Sequence, residues 1–200
     1  MTDDSAIDLV RRRLGDGLAL VEAMLASDRC LEQTAAAAER VAEAMGNGNK
    51  LLVFGNGGSA ADALHVAAEF VGRYLVERRP LPALALAANN SAVTAIGNDY
   101  GYEEVFARQV RALGVAGDVA LGLTTSGRSA NVVRGLQAAA EMGIATIAMT
   151  GADPGPVGEA AELTISVPSR DTPRVQEGQM LAAHTICEWV ESRFEASGGS

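Results

Sequence analysis

The sequence predicts an α/β protein: a doubly wound, five-stranded parallel sheet preceded by extra helices. Three observations predict it. Five short apolar runs recur after residue 50, each closed by a Gly, Ser, Asn or Asp loop and usually followed by a helical pattern. The runs are continuous rather than alternating, as in strands covered on both faces. The first fifty residues carry helical periodicity with no strand between the two helices.

In order, the first helix spans Ser5 to about Ser27, with Ile7, Val10, Leu14, Leu18, Val21 and Leu25 on one stripe. The second spans Leu31 to Met45 and stops at Gly46-Asn47-Gly48. These helices either cap the domain or pair with a partner chain, and the stripe does not choose. The strands are Leu51–Phe54, Ala83–Ala87, Val119–Leu123, Ile144–Met149 and Leu163–Val167. A helix from about Ala130 follows the third, and one from Val175 to Phe194 closes the chain. Strand–helix alternation of this kind builds a parallel sheet with helices on both faces. The organisation is a single domain over residues 1–196, with helices in 1–48, the sandwich in 50–195 and a flexible tail at 197–200.

The bulk properties narrow the function. The 200 residues suit one domain with a substantial core. Aromatics are 4% of the chain, so Ala, Val, Leu and Ile must fill that core. A net charge of -9 disfavours nucleic-acid binding, which needs surplus Lys and Arg. It leaves room for a small anion, because helix starts bind phosphate through neutral N–H groups. Cys30 and Cys187 stand apart, with no CxxC pair, and read as buried free thiols of a reducing cytoplasm. Neither a signal-peptide pattern nor an apolar run near 20 residues is present, so a cytoplasmic protein without a membrane span is expected.

Ligands of doubly wound sheets sit at the carboxyl ends of the strands. After the first strand comes Gly55-Asn56-Gly57-Gly58-Ser59-Ala60, then a helix. Its glycines let backbone approach a ligand, and the alternative is a tight turn that binds nothing. The spacing also fits a dinucleotide fingerprint, but the second strand ends Ala87-Ala88-Asn89-Asn90 without the acid that the fingerprint requires. That omission tells against a nicotinamide cofactor.

After the third strand comes Thr124-Thr125-Ser126-Gly127-Arg128-Ser129. An N-cap needs one hydroxyl and would explain Ser129. The run from Thr124 to Ser126 is in excess of that and favours a phosphate ringed by neutral donors. Asn98-Asp99, before Tyr100-Gly101, reads on its own as a turn.

The chain has two histidines, both in predicted helices. His65 and Glu69 are four residues apart and share a helix face. They form either a surface pair or two groups aimed at one metal ion or reacting carbon. His184 lies eight residues after Gln176, about 12 Å along a continuous helix. Both can serve one small site only if the helix start is frayed or if more than one chain builds the site.

Taken together, Gly55-Asn56-Gly57-Gly58-Ser59 with Asp62, His65 and Glu69, then Gly97-Asn98-Asp99, then Thr125-Ser126-Gly127-x-Ser129-x-Asn131, then Arg174-x-Gln176-Glu177 with His184, resemble the phosphoheptose isomerase branch of SIS (sugar isomerase) proteins. The resemblance runs over essentially the whole chain. It implies a flavodoxin-like sheet, a homotetramer with active sites at subunit contacts, and interconversion of sedoheptulose 7-phosphate with D-glycero-D-manno-heptose 7-phosphate. It implies one zinc per subunit on His65, Glu69, Gln176 and His184. It implies substrate contacts from Asn56, Gly57, Gly58, Ser59, Glu69, Asn98, Asp99, Thr124, Thr125, Ser126, Ser129 and Gln176.

The expected chemistry is proton transfer through an enediol, with Glu69 as base and His184 as acid. The family often has Ser where Thr124 stands and Asn where Arg128 stands. Arg128 either adds a phosphate contact or faces solvent. SIS relatives that bind replication initiators as scaffolds resemble this chain too, but they lack the equivalents of Glu69 and His184. An isomerase of another ketose phosphate is the third reading.

Overall fold

A computed structural model describes residues 5–194. The strands are β1 (Leu51–Gly55), β2 (Ala83–Ala85), β3 (Val119–Leu123), β4 (Ala145–Thr150) and β5 (Leu163–Ser166). They lie in the order β2-β1-β3-β4-β5, and every pairing is parallel. This is the flavodoxin-like order, whose winding reverses between β1 and β3.

The helices are α1 (Ala6–Leu25), α2 (Asp28–Gly46), α3 (Gly58–Val71), α4 (Asn90–Tyr100), α5 (Val105–Leu113), α6 (Ala130–Glu141), α7 (Gly155–Glu159) and α8 (Thr172–Ser192). The strand period of two divides the core cleanly. Leu51 and Val53 point into one apolar cluster, with residues from α1, α2, α3 and α8. Leu52 and Phe54 point into the other, with α5 and α6. Thus α3 and α8 share a face of the sheet, and α6 lies on the opposite one.

Several boundaries differ from the sequence reading. β2 ends at Ala85 rather than Ala87. α8 starts at Thr172, three residues early, because Pro173 sits at its N-terminus, where a missing N–H costs no helix bond. α2 starts at Asp28, because the Ser27 hydroxyl accepts from the Cys30 N–H as an N-cap. Asn98-Asp99 is not a turn: both residues lie in the last turn of α4, and the chain reverses only at Gly101. The expected tail at 197–200 and the outer ends of the domain lie outside the described residues.

The N-terminal stripe settles on the outside. Ile7, Val10, Leu14, Leu18, Val21 and Leu25 are all exposed, and Leu20 and Met24 face the domain instead. Cys30 and Cys187 are free and buried. Burial pushes the Cys187 thiol up to about 12, and nearby Glu69 adds to the rise. Among the described residues no helix is long and apolar enough to cross a membrane.

The end of the sheet away from the ligand loops is fastened by Asp118, which is fully buried. Its carboxylate accepts from Lys50 N at 2.9 Å and Val115 N at 2.9 Å, and it pairs with Lys50 Nζ at 2.7 Å. Burial raises its pKa, but the hydrogen bonds from Lys50 and Val115 and the lysine charge outweigh burial and hold it below the usual value. Asp118→Ala removes an acceptor shared by two backbone amides and a cation. It should cost about 3 kcal/mol in urea unfolding at neutral pH. The parent's share of stability from this group is present above the unfolded carboxyl pKa, about 3.9, and fades as pH falls through the lower native value. The gap between parent and variant should therefore close on acidification; a gap constant from pH 7 to pH 3 would contradict this account.

Candidate active site

Two loops face each other at the point where the winding reverses. One runs from β1 into α3, the other from β3 into α6. Asn56 and Asn131 join them by exchanging two amide hydrogen bonds, each 2.8 Å. The Tyr102 hydroxyl donates to Asn56 Oδ1 at 3.1 Å.

In the second loop the hydroxyls converge on each other. Thr124 Oγ1 lies 3.1 Å from Ser129 Oγ and 3.4 Å from Ser126 Oγ. Ser129 occupies the N-cap position of α6, yet its side chain makes no cap bond. The simple capping explanation therefore fails for this residue. The first N–H groups of α6, at Ala130 and Asn131, have no backbone acceptor, as helix geometry requires. Gly127 has φ +69, and a Cβ there would lie 2.5 Å from Pro154 O, so the β4–α7 loop packs directly against it. Arg128 neither reaches into the loop nor stands free: its Nη2 donates to Asp153 Oδ2 at 2.7 Å. That bond, with one from Gly155 N, holds the Asp153 carboxyl below its usual value.

The helix α3 leaves the first loop and carries His65 and Glu69 on one face. The parallel neighbour α8 brings His184 to the same point. Ligand atoms of these three residues lie within 4.8 Å of one another. His65 Nε2 is 2.9 Å from Glu69 Oε1, and His184 Nε2 is 3.4 Å from His65 Nε2. Two imidazole nitrogens aimed at each other beside a carboxylate form an N,N,O donor set of the kind that zinc and similar ions accept, with positions left for water or substrate. Asp62 sits one turn before His65 with a buried Oδ2 that has no hydrogen-bond partner. Burial raises its pKa, and His65 opposes the rise.

Comparison with known proteins fits this geometry. The SIS domain profile matches residues 17–151. A phosphoheptose isomerase of Aquifex aeolicus is 56% identical, over 76% of this chain and 79% of that protein. The chain belongs to the SIS domain family, in its phosphoheptose isomerase branch. A phosphoheptose isomerase of Geobacter sulfurreducens is 48% identical over 94% of this chain and 98% of its own length. The solved phosphoheptose isomerase GmhA of Neisseria gonorrhoeae superimposes with a TM-score of 0.88 at 40% identity, covering 94% of this chain and all of that one.

Within this SIS fold the predicted residues fall into four groups. His65, Glu69 and His184 come together. Asn56 and Gly57 lie on one loop, with Gly58 and Ser59 opening α3 behind it, and Thr124, Thr125, Ser126 and Ser129 lie on the other, flanking the winding reversal. Asn98 and Asp99 lie on α4, where Asn98 Nδ2 donates to Asp99 Oδ1 at 2.7 Å. Gln176 does not join the histidines. It packs on Gly58 at the start of α3, and α8 is already helical there, which leaves no frayed start.

Three contributors went unread in the sequence. Tyr102, which bonds Asn56, and Tyr74, whose ring stacks on His184, give no signal, because each acts through a residue distant in sequence. Gln179 is fully buried and donates to Thr124 O at 3.0 Å, tying α8 to the hydroxyl loop.

The Gln176 contact makes Gly58 testable. Any Cβ at position 58 would collide with the Gln176 amide. Because that amide ends a flexible, half-buried side chain, Gly58→Ala should cost no more than about 1 kcal/mol and should displace Gln176 from the start of α3. A thermal melt showing a larger loss would mean that the amide cannot move aside.

Proposed function

We propose that this chain interconverts sedoheptulose 7-phosphate and D-glycero-D-manno-heptose 7-phosphate. Membership of the phosphoheptose isomerase branch makes it a ketose–aldose sugar-phosphate isomerase. The single observation that carries the mechanism is the meeting of Glu69 and His184, 115 positions apart in the chain, at one point. A non-catalytic scaffold has no use for that meeting.

Isomerisation moves a hydrogen between neighbouring carbons. Glu69 takes the proton from the carbon beside the carbonyl. His184 gives one to the carbonyl oxygen, and an enediol forms. Glu69 then returns its proton to the former carbonyl carbon, while the hydroxyl on the neighbouring carbon gives its proton to His184, which forms the aldehyde and restores both groups. Glu69 Oε1 faces His65, so Oε2 is the oxygen free to act as base. His65 in turn orients the carboxylate. Neutral donors hold the phosphate: the hydroxyls of Thr124, Thr125, Ser126 and Ser129 and the open N–H groups at the start of α6. Asn56, Gly57, Gly58 and Ser59 line the opposite loop, where Asn98 and Asp99 of α4 supply polar groups for the sugar.

The donor set of His65, Glu69 and His184 would also fit one zinc per subunit, and an atom that ligates the ion would give up its own proton-moving role. When bound, such an ion polarises a carbonyl and stabilises developing negative charge. Gln176 lies about 12 Å along α8 from His184, so it serves as a fourth ligand only in a site built from more than one chain, while its place against Gly58 puts it beside the first loop as a substrate contact. The outward apolar face of α1 supports such an assembly, a homotetramer in our reading. Leu14 and Leu25 are each 71% exposed there, and a groove of about 420 Å³ between α1, α2 and α8 continues the face past Leu31 to Leu181 and Trp189. Free buried thiols suit the cytoplasm.

Turnover is read by NMR with a panel of ketose phosphates. Sedoheptulose 7-phosphate should be the preferred one, and its aldose should appear. Glu69→Gln and His184→Gln should each lower kcat by at least about 100-fold with the fold intact by circular dichroism. Near-parental turnover in either variant removes that residue from its role. In deuterated water the product should carry solvent deuterium at the carbon that receives the proton; its absence would point to a hydride shift instead. Metal analysis should find one zinc per subunit, lost on His65→Ala; a parent purified without metal, fully active in chelator, would remove zinc from the proposal.

A further inference from the structure

The segment after α3, residues 72–78, has almost no regular secondary structure, yet it is tightly held. Glu191 of α8, only 2% exposed, accepts hydrogen bonds from three successive amides: Tyr74 N at 2.8 Å, Leu75 N at 2.6 Å and Val76 N at 3.0 Å. Arg78, also buried, places its Nε 3.4 Å from Glu191 Oε1. Its other nitrogens donate to the carbonyls of Glu69, Phe70, Gly72 and Arg79. One guanidinium thus closes the end of α3 behind Glu69. A carboxylate ringed by three backbone amides fixes the segment's path.

Burial alone would raise the Glu191 pKa. The amides of Leu75, Val76 and Tyr74 and the charge of Arg78 outweigh it and hold the group ionised.

This path leads to His184. The Tyr74 ring stacks on the His184 imidazole, with centroids 5.3 Å apart and planes at 27°. His65 approaches the same imidazole from another side, at 5.1 Å and 60°. Glu191 and His184 are seven residues apart on α8, close to two turns, and so share a helix face. One helix therefore carries the imidazole and, two turns on, the carboxylate that holds the backbone carrying the ring that supports it.

We propose that Tyr74 is a positioning residue for His184: its ring, carried on a backbone that Glu191 and Arg78 hold in place, limits rotation of the imidazole and keeps Nε2 turned toward His65 and Glu69. The ring face acts, not the hydroxyl. This inference rests on the isomerase reading for its kinetic consequence, but the placement of the imidazole is measurable without turnover.

Two variants and two measurements test it. Tyr74→Phe keeps the ring and should keep kcat within about twofold, while Tyr74→Leu should lower kcat at least about tenfold with KM changed far less, the pattern of a misplaced catalytic group. In the free protein, the His184 ring-proton NMR signals should lose their aromatic ring-current shift in Tyr74→Leu and retain it in Tyr74→Phe. Both variants should melt cooperatively. Unmoved His184 signals in Tyr74→Leu overturn the proposal, as does a Phe variant impaired as much as Leu, or a Leu variant with parental kcat. Were the parent itself inactive on every ketose phosphate, the isomerase reading would fall, and the NMR signals would still decide where Tyr74 holds the imidazole.

Discussion

The position of α8 along the sheet is the constraint on which the site depends. The buried hydrogen bond from Gln179 to Thr124 O pins that helix to the carboxyl end of β3, where the hydroxyl loop begins. An unmade bond here would leave a buried carbonyl and amide unpaired, at a cost of about 1–3 kcal/mol for each group. The register is therefore firm. His184, five residues on, cannot slide relative to the loop, and neither can Gln176 relative to Gly58. The distance between His184, the proton donor of the proposed mechanism, and the hydroxyl loop is held by this bond together with the packing of α8 in the core.

The buried charges follow a common plan. Asp118 with Lys50 and Glu191 with Arg78 each combine an ion pair with hydrogen bonds to backbone amides or carbonyls. An ion pair alone repays its desolvation poorly. These pairs also satisfy backbone groups in segments that lack a ladder or a helix to do so, which is why they persist. Asp118 secures one end of the sheet. Glu191 secures the irregular segment beside the reacting groups at the other end. Their shared effect is to make loops behave as rigid elements.

Much of this was legible in the sequence, and the exceptions share a cause. The continuous runs Leu51–Phe54 and Val119–Leu123 announce buried parallel strands, and the i, i+4 spacing of His65 and Glu69 puts them on one face. Such signals are local. Asn98-Asp99 follows a short helical stretch and reads as the turn that ends it, because both are turn formers, whereas α4 continues through them to Tyr100. The stripe on α1 was seen, but its direction was not, because periodicity shows that a face exists and not what it meets. Tyr74, Gln179 and Glu191 were invisible for a third reason. Each acts through a partner 55 or more positions away, and no spacing rule reaches that far.

The acidity of the chain poses a last question for a protein that handles sugar phosphates. With a net charge of -9, long-range attraction of an anion is absent. The cation nearest the hydroxyl loop is already engaged, since Arg128 is paired with Asp153 across the neighbouring loop. Its charge is neutralised locally, and its contribution is to hold the β4–α7 loop against Gly127. What remains for a phosphate is a set of neutral dipoles: hydroxyls turned toward one another and amides at the start of α6. Dipoles fixed in place need no reorganisation as the ligand arrives, and they are screened by salt far less than an exposed arginine. Selectivity for a phosphate then depends on the shape of the loop rather than on its charge. This agrees with a structure in which the buried ion pairs hold the irregular segments rigid.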